Sequence, residues 1–165
     1  MRRHQRKSDC PVHFALEVFG DAWTLLIIRD LMFKGRTSYT DFLRGEEGIA
    51  TNVLADRLVR LEEDGVVEKV AGSGGGSAST YRLTPKGIDL LPIMLEVIGW
   101  SATYDPKTAA DRRFVRRLHR DRAALETEIR SALVRRKTPN DAGADTQPSA
   151  RRSDRKKTKA KEVSP

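Results

Sequence analysis

A mainly α fold of the α+β kind, with one two-stranded hairpin among helices, is predicted by three features of the sequence. The first is helical spacing of apolar residues, cleanest at Leu54, Leu58 and Leu61, which fall at i, i+4 and i+7 on one helix face. The second is a pair of short β-prone runs, Val66–Val70 and Thr80–Leu83, flanking the Gly- and Ser-rich stretch from Ala71 to Ser79. The third is punctuation. Gly20, Gly35 and Gly65 each close a helical stretch and Thr84-Pro85 opens one, the usual placing of Gly past helix ends and Pro in first turns.

Taken in order, residues 1–9 are polar and are expected to be loose. A helix follows from Cys10-Pro11 to Phe19. Val12, Ala15, Leu16 and Phe19 lie on one side of it, with Phe14 and Val18 elsewhere. A short helix that is apolar on more than one side needs two surfaces to cover it, its own domain and a second copy of the chain. Asp21 can cap the next helix, Trp23 to Phe33, which is apolar enough to be the central one. Its β-branched residues would also suit a strand, but its length and the Arg29-Asp30 pair favour helix. Thr37, Ser38 and Thr40 are candidate caps for a short helix holding Tyr39, Phe42 and Leu43. After a turn through Gly45–Gly48, a helix runs from about Thr51 to Asp64, and the hairpin comes next.

Beyond the hairpin, one helix is predicted from Thr84-Pro85 to about Ser101. Ile88, Leu91, Leu95 and Ile98 form a stripe that Leu90, Ile93, Met94 and Val97 widen, and Pro92 is placed to kink it. So wide a face again implies a partner. The expected homodimer interface is Val12, Phe14 and Val18 with Leu91, Met94, Leu95 and Ile98. A second long helix, about Ala109 to Arg136, carries Phe114, Leu118, Leu125, Ile129 and Leu133 along one edge. Residues 137–165 are poor in large apolar residues and are expected to be disordered.

Composition narrows the function classes. A length of 165 residues with 38% hydrophobic content suits one core plus extra segments. No uninterrupted apolar run reaches the ~18 residues of a membrane-spanning helix. The basic start, Met1 to Lys7, lacks a following secretory-type apolar stretch, so a cytoplasmic, nucleoid-associated location is expected and no membrane partner. Cys10 is the only cysteine, and His4, His13 and His119 are scattered. That pattern offers no internal disulfide, no zinc cage and no cofactor. The net charge of +8 favours polyanions, with nucleic acid ahead of an acidic membrane surface. Half of it, +4, sits in residues 137–165. That tail is either a non-specific DNA-affinity arm, weakened by salt, or a solubilising extension.

The order helix, helix, short helix, tight turn, helix, hairpin, helix is that of a winged helix-turn-helix. In that arrangement the short helix crosses the DNA backbone and the next enters the major groove by its N-terminal part. The stripe Leu54, Leu58, Leu61 anchors this recognition helix, which leaves Asn52, Asp56, Val59, Arg60 and Glu63 on the opposite face. Asn can pair with two atoms of adenine, and Asp can accept from the amino group of cytosine. Thr51 can donate to a phosphate or meet a thymine methyl. Asp56 is repelled by phosphates unless it pairs with cytosine or with a neighbouring Arg. Arg57, beside the core stripe, either clamps a phosphate or pairs with an acid inside the protein. Ser38 and Thr40 join the candidate DNA-binding set, as do Arg36, Lys69 and Arg82. These last three suit phosphate contacts that position without reading sequence, ordinary surface charge being the alternative.

The ordered motifs carry a family resemblance. They are Cys10-Pro11-Val12, then Trp23-Thr24-Leu25-Leu26-Ile27 with Arg29-Asp30-Leu31, and Gly48-Ile49 ahead of Leu54, Arg57-Leu58, Leu61-Glu62 and Asp64-Gly65. Tyr81-Arg82-Leu83-Thr84-Pro85-Lys86-Gly87 and Trp100 follow. Over residues 10–104 the chain resembles the HxlR-type winged-helix transcriptional regulators. The resemblance implies a homodimer built from the first helix and those after the wing, bound to an inverted-repeat promoter site and usually repressing it. The wing is unusually rich in Gly and Ser, and residues 105–136 and 137–165 exceed the common core. Some relatives sense oxidants or electrophiles at a cysteine equivalent to Cys10. Its place before a helix start favours a thiolate, whereas the plainer reading is a small buried packing residue. With no second cysteine, a switch would need an intersubunit disulfide, alkylation or a mixed disulfide. A small-molecule effector is the other way such a regulator would be controlled.

Three other classes were weighed. A non-specific architectural DNA-binding protein is the nearest rival, supported by the tail, and a protein-interaction module reusing the fold is another. An enzyme is not expected, because no Ser-His-Asp, Cys-His or metal arrangement is present. The Gly72–Gly76 loop also lacks the Lys and the strand-loop-helix setting of a phosphate cradle.

Overall fold

The computed structural model describes residues 8–71 and 79–136. The expectations for residues 1–7, for the wing tip and for the tail from Lys137 lie outside them. Helix α1 is Pro11–Phe19, and none of its residues is buried. Asp21 caps α2 (Ala22–Arg29) by accepting the Thr24 N–H at 3.1 Å. Burial alone would raise the Asp21 carboxyl pKa, but the Thr24 hydroxyl and N–H, with Arg57 beside it, hold it below the ordinary value. The predicted single helix to Phe33 instead widens after Arg29 into a π-type turn over Asp30–Lys34. Ile27, Ile28, Leu31 and Met32 are buried as the centre of the core.

Ser38 and Asp41 cap α3 (Tyr39–Leu43) reciprocally, each side chain accepting the other's backbone N–H at 3.1 Å. The Ser38 contacts hold the Asp41 carboxyl below its ordinary range. A turn follows in which Gly48 has φ of 66°, a left-handed conformation costly for a residue with a Cβ, and it delivers the chain to α4 (Thr51–Glu63). Strands β1 (Val67–Val70) and β2 (Thr80–Leu83) pair antiparallel, with Val67 opposite Leu83 and Val70 opposite Thr80. Ser38 forms an isolated bridge to Thr80, and the Tyr81 N–H donates to the Thr37 carbonyl at 2.7 Å. The chain leading into α3 is thereby stitched to the hairpin.

The helix predicted from Pro85 to Ser101 is two helices. They are α5 (Pro85–Ile88) and α6 (Leu91–Tyr104), and Pro92 lies in the first turn of the second rather than kinking one long rod. Gly87 of α5 lies against the end of α4, where a Cβ would come within 2.2 Å of the Val66 carbonyl oxygen. The helix predicted from Ala109 to Arg136 is likewise a hairpin of α7 (Arg112–Arg120) and α8 (Arg122–Arg135). Its break is Asp121, with φ of −148° and ψ of 64°, whose side chain accepts the Ala124 N–H. An Asp that bonds a nearby backbone N–H competes with helix continuation. Leu118, Leu125 and Leu133 are buried, and Phe114 meets Phe33 edge-on at 6.2 Å. Arg122 pairs with Glu96, and Arg130 reaches Asp89 at 2.6 Å, fastening the hairpin to α5 and α6. No single helix among the described residues is long and apolar enough to cross a membrane.

The residues of the expected dimer face divide by burial, with Val12 and Phe14 exposed. Leu91, Met94 and Leu95 are buried in the protomer's own core, and Val18 and Ile98 are half-buried. On these two helices the large apolar residues left exposed are Val12, Phe14 and Leu16 of α1 and Ile93, Val97, Trp100 and Tyr104 of α6. The α6 residues are spaced four, three and four apart, one helical stripe.

Candidate nucleic-acid interface

Helix α4 is held by one face. Leu54, Leu58 and Leu61 are at most 2% exposed and pack against the α2 core, so the opposite face must point outward. Asn52, Asp56, Val59 and Arg60 are exposed there, and Thr51 is exposed at the helix start. The start of the helix is fixed from α3, where the Tyr39 hydroxyl donates to the Thr51 carbonyl at 2.8 Å. In the sequence, Tyr39 marks only the short helix. Its spacing carried no sign of a polar anchor. Ala50, the N-cap of α4, offers no side-chain cap, so first-turn N–H groups lack an intrahelical acceptor.

Asp56 lies between two guanidiniums, 2.9 Å from Arg57 Nη1 and 3.1 Å from Arg60 Nε. Arg57 Nε also lies 3.0 Å from Asp21 Oδ1. That contact is an ion pair without an aligned hydrogen bond, since Nε has no partner in hydrogen-bonding geometry. Arg57 thus ties the middle of α4 to the cap of α2, while Arg60, 61% exposed in its side chain, stands at the surface.

Arg36 is taken up inside the protein. Its Nη1 donates to Asp30 Oδ2 at 2.9 Å, and Asp30, only 4% exposed, accepts from Arg29 Nε on its other oxygen, also at 2.9 Å. Arg29 in turn holds Glu47 in the turn before α4. That hydrogen bond is the main reason the Glu47 carboxyl is lowered to about 2. The Arg29–Asp30 pair was visible as a motif, but its partners lie 6 and 18 residues away and leave no periodic trace. Ser38 spends its hydroxyl on the α3 cap, with Thr40 exposed beside it at 3.0 Å. On the hairpin, Lys69 is exposed, its Nζ 5.9 Å from the Tyr81 ring centre, and Arg82 Nε donates to Glu68 at 2.9 Å. Cys10 is exposed at the start of α1, not a buried packing residue.

A core helix, a capped short helix, a turn, an outward-facing helix and a two-stranded hairpin define a winged helix-turn-helix protein. The HxlR-like helix-turn-helix family model matches residues 18–109, more than half of the chain, and the chain belongs to that family. It is similar to an uncharacterized HTH-type transcriptional regulator of Mycobacterium tuberculosis, Rv3095, at 36% identity over 93 residues. The match covers 56% of this chain and 58% of that relative, so the chain spans less than two thirds of the relative's length. YybR of Bacillus subtilis, also an uncharacterized HTH-type transcriptional regulator, is 31% identical over 97 residues, covering 59% of this chain and 77% of its own. Among solved structures, PA1607 aligns with a TM-score of 0.58 at 39% identity, covering 64% of this chain and 74% of that one. The redox regulator HypR in its oxidized form aligns at 0.53 and 31%, covering 57% and 96%.

Proposed function

We propose that the protein is a sequence-specific DNA-binding transcriptional regulator. It acts as a homodimer on an inverted-repeat operator and represses a nearby promoter. One observation carries the reading: α4 is pinned by three buried leucines while Thr51, Asn52, Asp56 and Arg60 remain exposed. Asn52 and Thr51 are the base-reading candidates. Arg60 supplies charge toward phosphate, and Asp56 is compatible with a polyanion because Arg57 and Arg60 flank it. Thr40, Lys69 and Arg82 border this face as backbone contacts. In a dimer, two such helices would enter successive major grooves about 34 Å apart. The uncovered residues of α1 and α6 provide the self-complementary apolar surface that a two-fold assembly requires.

The test is fluorescence anisotropy on the protein's own upstream region against a scrambled duplex of equal length at physiological salt. Preference for the upstream fragment with a two-site footprint supports the reading. Equal binding to both sequences replaces it with the architectural alternative. For control of activity, the exposed thiol of Cys10 supports oxidant sensing, as does likeness to a regulator described as redox-responsive. With one cysteine per chain, the sensing product is an intersubunit or mixed disulfide. Diamide treatment should then alter the footprint of the wild type and leave Cys10→Ala unchanged.

A further inference from the structure

Between the hairpin and the end of α8 lies a half-open cavity of about 270 Å³. Folded proteins hold few voids larger than one water, and a water's share of liquid volume is about 30 Å³. The cavity therefore has room for several waters. A second hollow, under Trp23 and Phe42, is about 20 Å³ and has room for a single water. Leu31, Val70, Tyr81 and Leu133 give the larger cavity an apolar wall. Arg82 of β2 and Arg136 at the end of α8 bring two guanidiniums, and among the described residues no carboxylate lines it. Arg82 is steadied by Glu68, while Arg136 is exposed at the rim.

We infer that this cavity binds a small carboxylate carrying a single apolar ring. Guanidinium is the group best shaped to grip a carboxylate with two parallel hydrogen bonds. The apolar wall asks for a hydrophobic body. The volume, just under the roughly 300–1,000 Å³ usual for ligand sites, limits that body to about one ring. Leu133 and Arg136 lie beyond the family-matched residues 18–109, so one wall of the site is an addition outside that match.

The position suits an effector. Thr37 lines the cavity, and its carbonyl accepts the Tyr81 N–H. The next residue, Ser38, caps α3, and Tyr39 then fixes the start of α4. A ligand wedged between α8 and the hairpin would bear on this three-residue path to the recognition helix. That coupling rests on the DNA-binding reading above, whereas ligand binding itself is measured without DNA.

The full chain, labelled with nitrogen-15, is titrated with sodium benzoate, with benzamide and with inorganic phosphate at matched ionic strength. Saturable amide shifts at Thr37, Val70, Thr80, Tyr81 and Leu133 are expected with benzoate only. Arg136→Ala, a change at an exposed helix end, should weaken benzoate at least about fivefold, while Arg113→Ala on α7 should not. The site is overturned by absence of saturable shifts there up to about 20 mM, by equal shifts with phosphate or benzamide, or by an unchanged Arg136→Ala affinity. Operator affinity is then read with and without saturating benzoate. No change removes the coupling, and failure to bind any DNA refutes the proposed function without touching the site.

Discussion

Asn52 and Asp56 stand one turn apart on the exposed face of α4, yet the structure treats them differently. Asp56 has two guanidinium partners, whereas Asn52 is exposed and its side chain has no hydrogen-bond partner among the described residues. A bidentate Asn–adenine contact is worth about 1–3 kcal/mol of discrimination. Asn52→Ala should therefore weaken operator binding roughly 5- to 150-fold and leave scrambled DNA nearly unaffected, as anisotropy on both duplexes would show. Asp30 serves the fold instead. Removing this buried carboxylate strands Arg36 and leaves Arg29 with Glu47 alone, and Asp30→Ala should cost about 3 kcal/mol in urea unfolding. Glu47 adds a pH signature. Its carboxyl is lowered to about 2 in the folded chain, chiefly by the Arg29 hydrogen bond, from 4.5. The stabilisation is thus fully present above about pH 5 and is lost as the pH falls toward 2. Because Glu47 is partly exposed, the effect should stay within about 1 kcal/mol. Unfolding of Glu47→Gln at pH 6 and pH 3 should differ less than that of wild type.

Elements whose apolar spacing was interrupted by turn residues were legible in advance. The run Leu54, Leu58, Leu61 closed by Gly65 became α4, and two β-prone runs around a Gly/Ser stretch became the hairpin. Leu58→Ala should cost about 2–5 kcal/mol, because the stripe has no room to collapse without moving α4. Gly87→Ala is expected to be severe for a different reason: the added carbon meets the Val66 backbone oxygen, which cannot rotate away as a side chain can. The breaks at Asp89-Leu90 and at Asp121 were hidden, since the apolar positions continue in register across both. Leu118 and Leu125 are seven apart, two turns of an unbroken helix by spacing alone, although the chain reverses between them. The π-type turn after Arg29 was hidden for a similar reason.

For the whole molecule, the sequence announced an excess of apolar surface on the first helix and after the wing but not its division. A helix that is apolar most of the way round does not say which half its own core will take. Leu91, Met94 and Leu95 went inward, and Ile93, Val97, Trp100 and Tyr104 remained outside. Trp100, 67% exposed and 5.3 Å from the Tyr104 ring, is where a charge should do most harm to association and least to folding. Trp100→Glu should halve the mass in light scattering, keep the helical circular dichroism and weaken operator binding. The site residues were legible as a face and only partly as roles: Arg57, beside the core stripe, left pairing and phosphate contact both open, whereas Arg36 looks like Arg60 in the sequence and its partner Asp30 lies in another element. Helix α1 carries a last consequence. A segment with no fully buried residue, resting on its own subunit's core through Val18 and Phe19, is weakly held there, so part of its order would be lent by a neighbour and withdrawn on dilution. Melting temperature should then climb with protein concentration, and the cell's supply of the chain would set how much of it is fully folded.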